Sequence, residues 1–209
     1  MGKFIRKVKI GLVKTLARYT PFKYFMRVED TNNSFGFMVF FMQKILGFNR
    51  KVYWPAHFTS TITNYKNILC GIDGAPGLSP GCYIQGKGKI IFGDYVIIGP
   101  NVGIISANHN IYDIRDHGSS SVIIGSYCWI GMNAVILPGV ELGPHTVVAA
   151  GSVVTKSFPR GYCVLAGNPA KIVKEIEERK CINFEYKRKF YGYIPAEKFE
   201  KYRRKHLSV

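Results

Sequence analysis

Acidic residues are scarce in this chain. Its 209 residues include 13 Asp and Glu against 29 Lys and Arg, which gives a formal net charge of +16. The excess lies at the two ends: residues 1–27 hold eight basic and no acidic residues, and residues 171–209 hold twelve basic and six acidic ones. Neither zinc-finger spacing nor an aromatic, glycine-rich RNA motif accompanies these basic ends, so we expect no nucleic-acid binding. Contact with an anionic membrane face and a simple solvated surface remain open.

Cysteine pairs and long apolar runs are also missing. The five cysteines are odd in number and form no CxxC pair, which favours reduced thiols in a cytoplasmic protein over a disulfide or zinc framework. The most apolar run, Phe35–Met42, is far shorter than the roughly 20 residues that span a bilayer. Basic residues interrupt the first segment and no small-residue cleavage site follows, so we expect no cleaved signal peptide.

What the chain does have is a six-residue period. Aliphatic residues stand six apart at Ile124, Ile130, Ile136, Leu142, Val148 and Val154, and the same lattice holds earlier at Phe92, Ile98 and Ile104. This period fits neither a helix at 3.6 residues per turn nor an alternating strand. It is typical of a coil of short strands joined by tight corners, that is, a β-helix.

The residues within each unit agree with this prediction. The aliphatic first position points into the coil axis, where burial contributes roughly 25 cal/mol per Å² of apolar surface. The second and fifth positions are mostly small, as Gly125 and Ala134 illustrate. Corners need small residues because the backbone there is crowded or takes unusual angles. We therefore predict a mainly β fold.

The segment IIGSYCWIGMNAVILPGVELGPHTVVAAGSVVTKSFPRGYCVLAGNPAKIV, residues 123–173, closely resembles the hexapeptide-repeat acyltransferases. Within that family it is most similar to the sugar and surface-polysaccharide O-acetyltransferases. The resemblance covers about half the chain and rests on the repeats, the WIG turn, the GSVVTK segment and the GNPAK exit in that order. It implies a left-handed parallel β-helix that assembles as a homotrimer.

Three regions follow from this reading. Residues 1–66 are expected to form a basic helical or irregular region, and residues 67–166 the β-helix, interrupted by a loop at 106–121. Residues 167–209 are expected to form a basic helical region, with one helix beginning at Asn168 and Pro169 and a second at Pro195. The basic segment 9–27 resembles an interfacial membrane segment. For residues 35–48 we favour a helix packed on the β-helix or on a neighbouring subunit.

The loop at 106–121 holds the candidate catalytic residue. The resemblance implies that His109, at the start of this loop, is a general base. A sugar hydroxyl has a high pKa and attacks a thioester poorly unless its proton is removed as the bond forms. The alternative is a zinc site made by His109, His117 and His145, which would need three convergent imidazoles. His145 lies in a GPHT corner that is expected to face outward, so we predict no metal.

The resemblance also implies acetyl-CoA as the acyl donor. Trp129 is expected to pack on the pantetheine arm, and Met132, Ala150 and Thr155 to line it. The phosphates are expected to meet Lys156, Lys171 and Lys174, since lysine gives charge-assisted hydrogen bonds to phosphate.

The acceptor is less well defined. Ser79 stands where galactoside-type relatives carry an oxyanion-binding Asn, and Asn108 is the nearest substitute. Lys87 stands in place of an acidic substrate contact and hints at a negatively charged acceptor. The sequence thus predicts an O-acetyltransferase that acts on a sugar or surface-glycan precursor. An N-acetyltransferase acting on an amino sugar and a non-catalytic scaffold are the alternatives.

Overall fold

The computed structural model describes residues 37–209, and this part of the chain is mainly β. Its helices are α1 (Phe37–Phe40), which continues into a π-helical turn at Phe41–Ile45, and α2 (Ala196–His206). Short 3-10 turns occur at Tyr65–Asn67 and Glu178–Lys180. Within residues 37–209, no helix is both long and apolar enough to cross a membrane.

Three sheets dominate the fold, and we name them A, B and C. Sheet A contains, in spatial order, β1 (Thr61–Thr63), β3 (Tyr83–Gln85), β6 (Gly103–Ile105), β11 (Val135–Ile136) and β14 (Val153–Val154). Sheet B contains β2 (Ile68–Leu69), β4 (Ile90–Phe92), β9 (Val122–Ile124) and β12 (Glu141–Leu142). Sheet C contains β5 (Ile97–Ile98), β10 (Trp129–Ile130), β13 (Val147–Val148), β15 (Cys163–Gly167) and β16 (Ala170–Glu175).

The chain visits these sheets in rotation, so consecutive strands β3, β4 and β5 belong to A, B and C, and β11, β12 and β13 repeat the order. Within sheets A, B and C the pairs between coils are parallel, and β16 alone is antiparallel to its neighbour. Trp129 pairs with Val147, three six-residue units later. Each six-residue unit of the sequence therefore forms one face of the coil, and three consecutive units complete one coil. We call the connections between faces edge AB, edge BC and edge CA.

The core lies along the axis of this stack. The first-position residues of the lattice are buried, as predicted: Phe92, Ile98, Ile104, Ile124, Ile130, Ile136, Leu142, Val148 and Val154. Fully burying one such aliphatic side chain stabilises the fold by roughly 1.5–3 kcal/mol. Because each coil places its aliphatic residues directly on those of the next, the stacking depends on the strict period.

Two positions near each corner are constrained for different reasons: the fourth by its backbone angle and the second by crowding. The left-handed backbone conformation falls on the fourth position of the units, at Tyr95, Asn101, Tyr127, Asn133, Gly139, His145 and Gly151. The second position is small because of crowding: a Cβ on Gly125 would lie 2.6 Å from the carbonyl carbon of Gly143, and one on Gly131 would lie 2.7 Å from the Ala150 nitrogen. Close stacking of coils, not backbone angle, thus requires these glycines.

The predicted helix after Asn168 is wrong. Residues 170–175 form strand β16, which pairs antiparallel with β15, and only the short turn at Glu178–Lys180 is helical in this segment. The physical reason is that β15 would otherwise present an unpaired edge, and a strand covers it. A hairpin of β17 (Phe190–Tyr191) and β18 (Ile194–Pro195) follows. The second predicted helix is confirmed as α2, which begins directly after Pro195.

The segment before the stack packs against its first coil. The indole of Trp54 is fully buried and donates to the Pro76 carbonyl at 2.8 Å. The carboxamide of Gln43 is buried and accepts a hydrogen bond from the Tyr193 hydroxyl at 2.6 Å. Part of the predicted helix at 35–48 thus packs on the fold. The parallel stack begins at Thr61, earlier than the predicted start at residue 67. The basic segment 9–27, which resembles an interfacial membrane segment, lies outside the described residues.

Candidate functional site

A hairpin leaves the stack at edge AB. After β6 the chain forms β7 (Ala107–His109) and β8 (His117–Ser119), an antiparallel pair, before it returns as β9. The buried Ser106 hydroxyl donates to the Gln85 carbonyl and accepts from the Gly88 N–H at 2.9 Å. The side-chain oxygen of Gln85 accepts from the Ala107 N–H at 3.1 Å. These bonds hold the base of the hairpin on the preceding coil.

His109 ends β7 and is exposed to solvent. Its Nδ1 lies 2.5 Å from the carbonyl oxygen of Ile114. A carbonyl oxygen only accepts, so Nδ1 carries a proton, and in the neutral form of the ring the lone pair is therefore on Nε2. The ring of His117 lies across the hairpin, with 4.1 Å between the two ring centroids. The arrangement gives His109 the tautomer that a general base needs.

The tip of the hairpin is braced by local polar contacts. Arg115 forms a salt bridge of 2.9 Å with Asp113. The Asn110 side chain donates to Asp116 at 3.3 Å, and its oxygen accepts from the Tyr112 N–H at 2.9 Å. The chain around His109 thus has a defined turn.

A second group of candidate residues lies on the outer face of sheet C. The strand register places Trp129 between Ile97 and Val147, and continues to Val164 and Lys174. Directly opposed residues on neighbouring strands point to the same side. Trp129 is 54% exposed. An apolar row with a lysine at its end therefore crosses this face.

Three further candidates adjoin this row. Lys171 pairs with Ala166 on β15. Met132 and Ala150 follow sheet C strands at edge CA, where the Gly151 N–H donates to the Met132 carbonyl at 2.9 Å. The structure thus places Trp129, Lys171 and Lys174 on sheet C, and Met132 and Ala150 at edge CA, which borders it.

The remaining two cofactor candidates lie elsewhere. Thr155 and Lys156 follow β14 at edge AB, the edge that carries the His109 hairpin. In a three-faced coil the edge between two faces lies opposite the third face. One chain therefore holds His109 and Trp129 on opposite sides of the stack.

The two substrate candidates are also separated. Asn108 precedes His109 on β7, is exposed and pairs with Gly118. Ser79 lies at edge CA, where its hydroxyl donates to the Ile98 carbonyl at 2.6 Å. Ser79 is thus on another edge from His109 and its proton is engaged, whereas Asn108 lies beside the candidate base.

The third edge carries aromatic rings in a column. Tyr127 stacks on Tyr95 and on His145, with centroid distances of 5.3 and 4.9 Å, and His145 stacks on Tyr162 at 5.3 Å. The Nε2 of His145 lies 2.7 Å from the side-chain oxygen of Asn183. His145 therefore lies at edge BC, not beside His109. Residues 37–209 contain no group of three His, Cys, Asp or Glu side chains that could hold a metal ion.

The buried cysteines offer no nucleophile. All five are free thiols, and Cys70, Cys82, Cys128 and Cys163 are buried. Burial raises the pKa of the Cys128 thiol to about 12, so it stays protonated and unreactive at neutral pH. A covalent acyl-cysteine route therefore has no support at this position.

Sequence reasoning missed the residues that anchor the hairpin. Gln85 and Ser106 reach each other from neighbouring coils, 21 positions apart, and no local pattern joins them. The one available signal was Ser106 itself, a polar residue at the point where the six-residue lattice breaks. The aromatic column was also missed, although its members occupy equivalent corner positions.

Comparison with known proteins agrees with this architecture. The bacterial transferase hexapeptide family (six repeats) matches residues 121–156. A putative acetyltransferase of Saccharomyces cerevisiae is 41% identical over 104 residues, covering 48% of this chain and 53% of that protein. The galactoside O-acetyltransferase of Escherichia coli K12 is 39% identical over 94 residues, covering 43% and 46%. The chain thus spans about half the length of the curated relatives it matches.

A solved structure is also similar to this fold. A galactoside acetyltransferase in complex with coenzyme A superposes with a TM-score of 0.54 and 30% identity, covering 63% of this chain and 66% of that one. The matched repeats coincide with strands β9 to β14, the regular part of the stack. In its six-residue lattice and its three stacked sheets, the chain is thus similar to the hexapeptide-repeat acetyltransferases over the part that these relatives cover.

Proposed function

We propose that this chain is an acetyl-CoA-dependent O-acetyltransferase that acetylates a hydroxyl of a sugar or surface-glycan precursor. Its stack would be a left-handed parallel β-helix, as the family resemblance implies. One observation carries the proposal: Ile114 holds the Nδ1 proton of His109, which leaves Nε2 open on an exposed hairpin of a hexapeptide coil. Family relatives named as galactoside O-acetyltransferases support the reaction type.

The reaction follows from these groups. The acceptor hydroxyl attacks the thioester carbon while the Nε2 of His109 takes its proton. The new C–O bond forms, the C–S bond breaks, and the imidazolium returns the proton to the leaving CoA thiolate. Asn108, the residue before His109 on β7, is the candidate donor to the oxyanion of the tetrahedral intermediate.

The outer face of sheet C suits the acyl donor. The apolar row of Ile97, Trp129 and Val147 would pack against the pantetheine arm, and Lys171 and Lys174 at its far end would meet phosphates. A galactoside acetyltransferase of similar fold has been solved with coenzyme A bound. Met132 and Ala150 would border the groove at edge CA.

The separation of His109 from Trp129 supports a site between subunits. In a homotrimer with cyclic symmetry, each subunit uses the same two surfaces. Edge AB of one subunit, with His109, Thr155 and Lys156, would then face sheet C and edge CA of the next. We place the enzyme in the cytoplasm, where its free cysteines stay reduced.

Thiol release tests the proposal. The full chain is incubated with acetyl-CoA and a panel of neutral, amino and acidic sugars, and free CoA thiol is measured with a chromogenic disulfide. We expect acceptor-dependent release, with the product carrying an O-acetyl ester that dilute base removes. A base-stable amide on an amino sugar would show an N-acetyltransferase instead. Absence of acceptor-dependent release with every sugar would argue for the scaffold alternative.

A further inference from the structure

Edge AB carries basic side chains that the proposed reaction does not use. Lys66 lies in its first corner, between β1 and β2, and Lys87 and Lys89 lie in the next corner, between β3 and β4. All three are exposed, and none forms a salt bridge with any residue of the 37–209 segment. The third corner of the same edge is the His109 hairpin. We call Lys66, Lys87 and Lys89 the lysine row.

Direct contacts connect the lysine row to the hairpin. The Asn67 side chain donates to the carbonyls of Gly86 and Lys87 at 2.9 and 3.3 Å. The Gly88 N–H donates to the Ser106 hydroxyl at 2.9 Å, at the base of the hairpin. Neighbouring strands lie about 4.8 Å apart, so the row spans roughly 10 Å from its first corner to the hairpin.

An open cleft of about 880 Å³ adjoins the start of the row. Its lining includes three cations, Arg50, Lys51 and Lys66, and no acidic residue. Asn64, Tyr65 and Ser208 add an amide, an aromatic ring and a hydroxyl. The cleft therefore offers positive charge together with hydrogen-bonding groups, and its charge continues along edge AB.

We infer that the acceptor is an extended anionic glycan, whose negative groups lie on the lysine row and in the Arg50–Lys51 cleft while one hydroxyl reaches His109. The inference rests on the proposed function and names its substrate class. A single sugar at His109 would not reach Lys66 across the two coil spacings. A chain of several sugars with repeated negative charges would contact both.

The shape of this edge favours a glycan over a membrane surface. Membrane-surface segments combine cations with apolar side chains that enter the lipid. The corners at 64–67 and 86–89 carry no exposed large apolar side chain. Their exposed residues are Asn64 and the three lysines of the row, which suit a polar, charged polymer.

Binding without acetyl-CoA tests this inference separately from catalysis. The probes are fluorescently labelled oligogalacturonate and hyaluronate oligomers, each compared with its carboxyl-reduced neutral form of equal length. We expect the full chain to bind at least one charged oligomer more tightly than its neutral form. Binding should weaken as salt rises from about 0.05 to 0.5 M, because exposed charges are screened.

Two charge-matched triple variants locate the contact. Lys66→Ala, Lys87→Ala and Lys89→Ala together should weaken binding of the charged oligomer by about ten-fold or more. Lys187→Ala, Arg188→Ala and Lys198→Ala remove the same charge from exposed positions that belong neither to the lysine row nor to the cleft, and should leave binding nearly unchanged. Circular dichroism confirms that both variants fold.

The binding results distinguish an anionic-glycan site from a membrane-binding site and from no site at all. No preference for either charged oligomer, or equal losses in both triple variants, would overturn the inference. Loss of binding to phosphatidylserine vesicles in the lysine-row variant, with no glycan binding by the parent chain, would assign the row to a membrane instead. Glycan binding that persists in a chain with no acetyl transfer would remove the proposed function but keep the anionic-glycan site.

Discussion

The Nδ1 of His109 donates to the carbonyl oxygen of Ile114, five residues further along the same hairpin, at 2.5 Å. The bond orients the ring and sets its tautomer with a backbone group that cannot change protonation state. This geometry leads to the first prediction.

His109→Ala should lower kcat by about 10²–10⁴-fold, the usual contribution of a general base, and leave acetyl-CoA affinity nearly unchanged. Steady-state thiol release and calorimetry measure the two quantities. His117→Ala is the matched control on the opposite strand and should have a much smaller effect. A His109→Ala enzyme that keeps more than about a third of the parent activity would show that His109 is not the base.

Changing Lys156 and Lys171 together to Ala should weaken acetyl-CoA binding, because each is expected to meet a CoA phosphate. Loss of one charged hydrogen bond corresponds to roughly ten-fold or more in affinity. The control is Lys198→Ala with Lys201→Ala on α2, which removes the same charge elsewhere. Calorimetry that finds equal CoA affinity in the double variant and the parent would refute this phosphate contact.

Assembly provides a third test, because one chain holds His109 and Trp129 on opposite sides of the stack. Light scattering should give about three times 23.6 kDa. Inactive His109→Ala subunits mixed with inactive Trp129→Ala subunits should recover part of the activity, since some interfaces then contain both intact residues. An active monomer would contradict the shared site, and no recovery after verified mixing would place both residues in one chain's site.

Alkaline pH should destabilise the fold through its buried thiols. Burial raises the pKa of Cys128 from 9.0 to about 12. Its contribution to stability is therefore fully present below pH 9 and is lost as pH rises toward 12, because only the unfolded chain ionises. Urea unfolding between pH 8 and 11 should show this fall.

Cys128→Ala should make that fall shallower, by up to about 1.4 kcal/mol per pH unit. Alanine occupies the equivalent position at Ala134, so the substitution fits the coil. The other buried cysteines retain part of the pH dependence, because burial also raises the pKa of Cys70 and Cys82. Identical slopes for the variant and the parent would show that Cys128 does not contribute.

The aromatic column should hold the C-terminal segment on the stack. The Tyr127 hydroxyl donates to the Phe184 carbonyl at 2.9 Å, and its ring stacks between Tyr95 and His145. Tyr127→Ala should lower the free energy of unfolding by about 1–3 kcal/mol, since it removes two stacked pairs. It should also speed proteolysis near Phe184.

Tyr127→Phe keeps the ring and loses only the hydrogen bond, so its cost should be about 0.5–1.5 kcal/mol. If the Phe and Ala variants unfold at the same denaturant concentration, the rings do not stabilise the column and the hydrogen bond alone matters.

Local pattern was sufficient for part of the fold. The spacing of Ile124, Ile130 and Ile136 predicted buried positions and short strands, because each unit repeats the same packing problem. Local pattern gave the wrong prediction at Ile172, because its four-residue spacing to Ile176 is compatible with one side of a helix and also with one side of a strand. There the unpaired backbone of β15 decided the outcome.

The sequence by itself determined the coil, its period and the loop that holds His109, because these depend on which side chains can stack at six-residue intervals. Only the tertiary structure decided that Ser79 and His109 lie on different edges and that Trp129 shares a face with Lys174. It also decided that Lys66 and Lys87 continue toward the hairpin. The physical reason is that three faces per coil bring together residues about 18 positions apart in the regular stack, whereas residues six apart point to different sides.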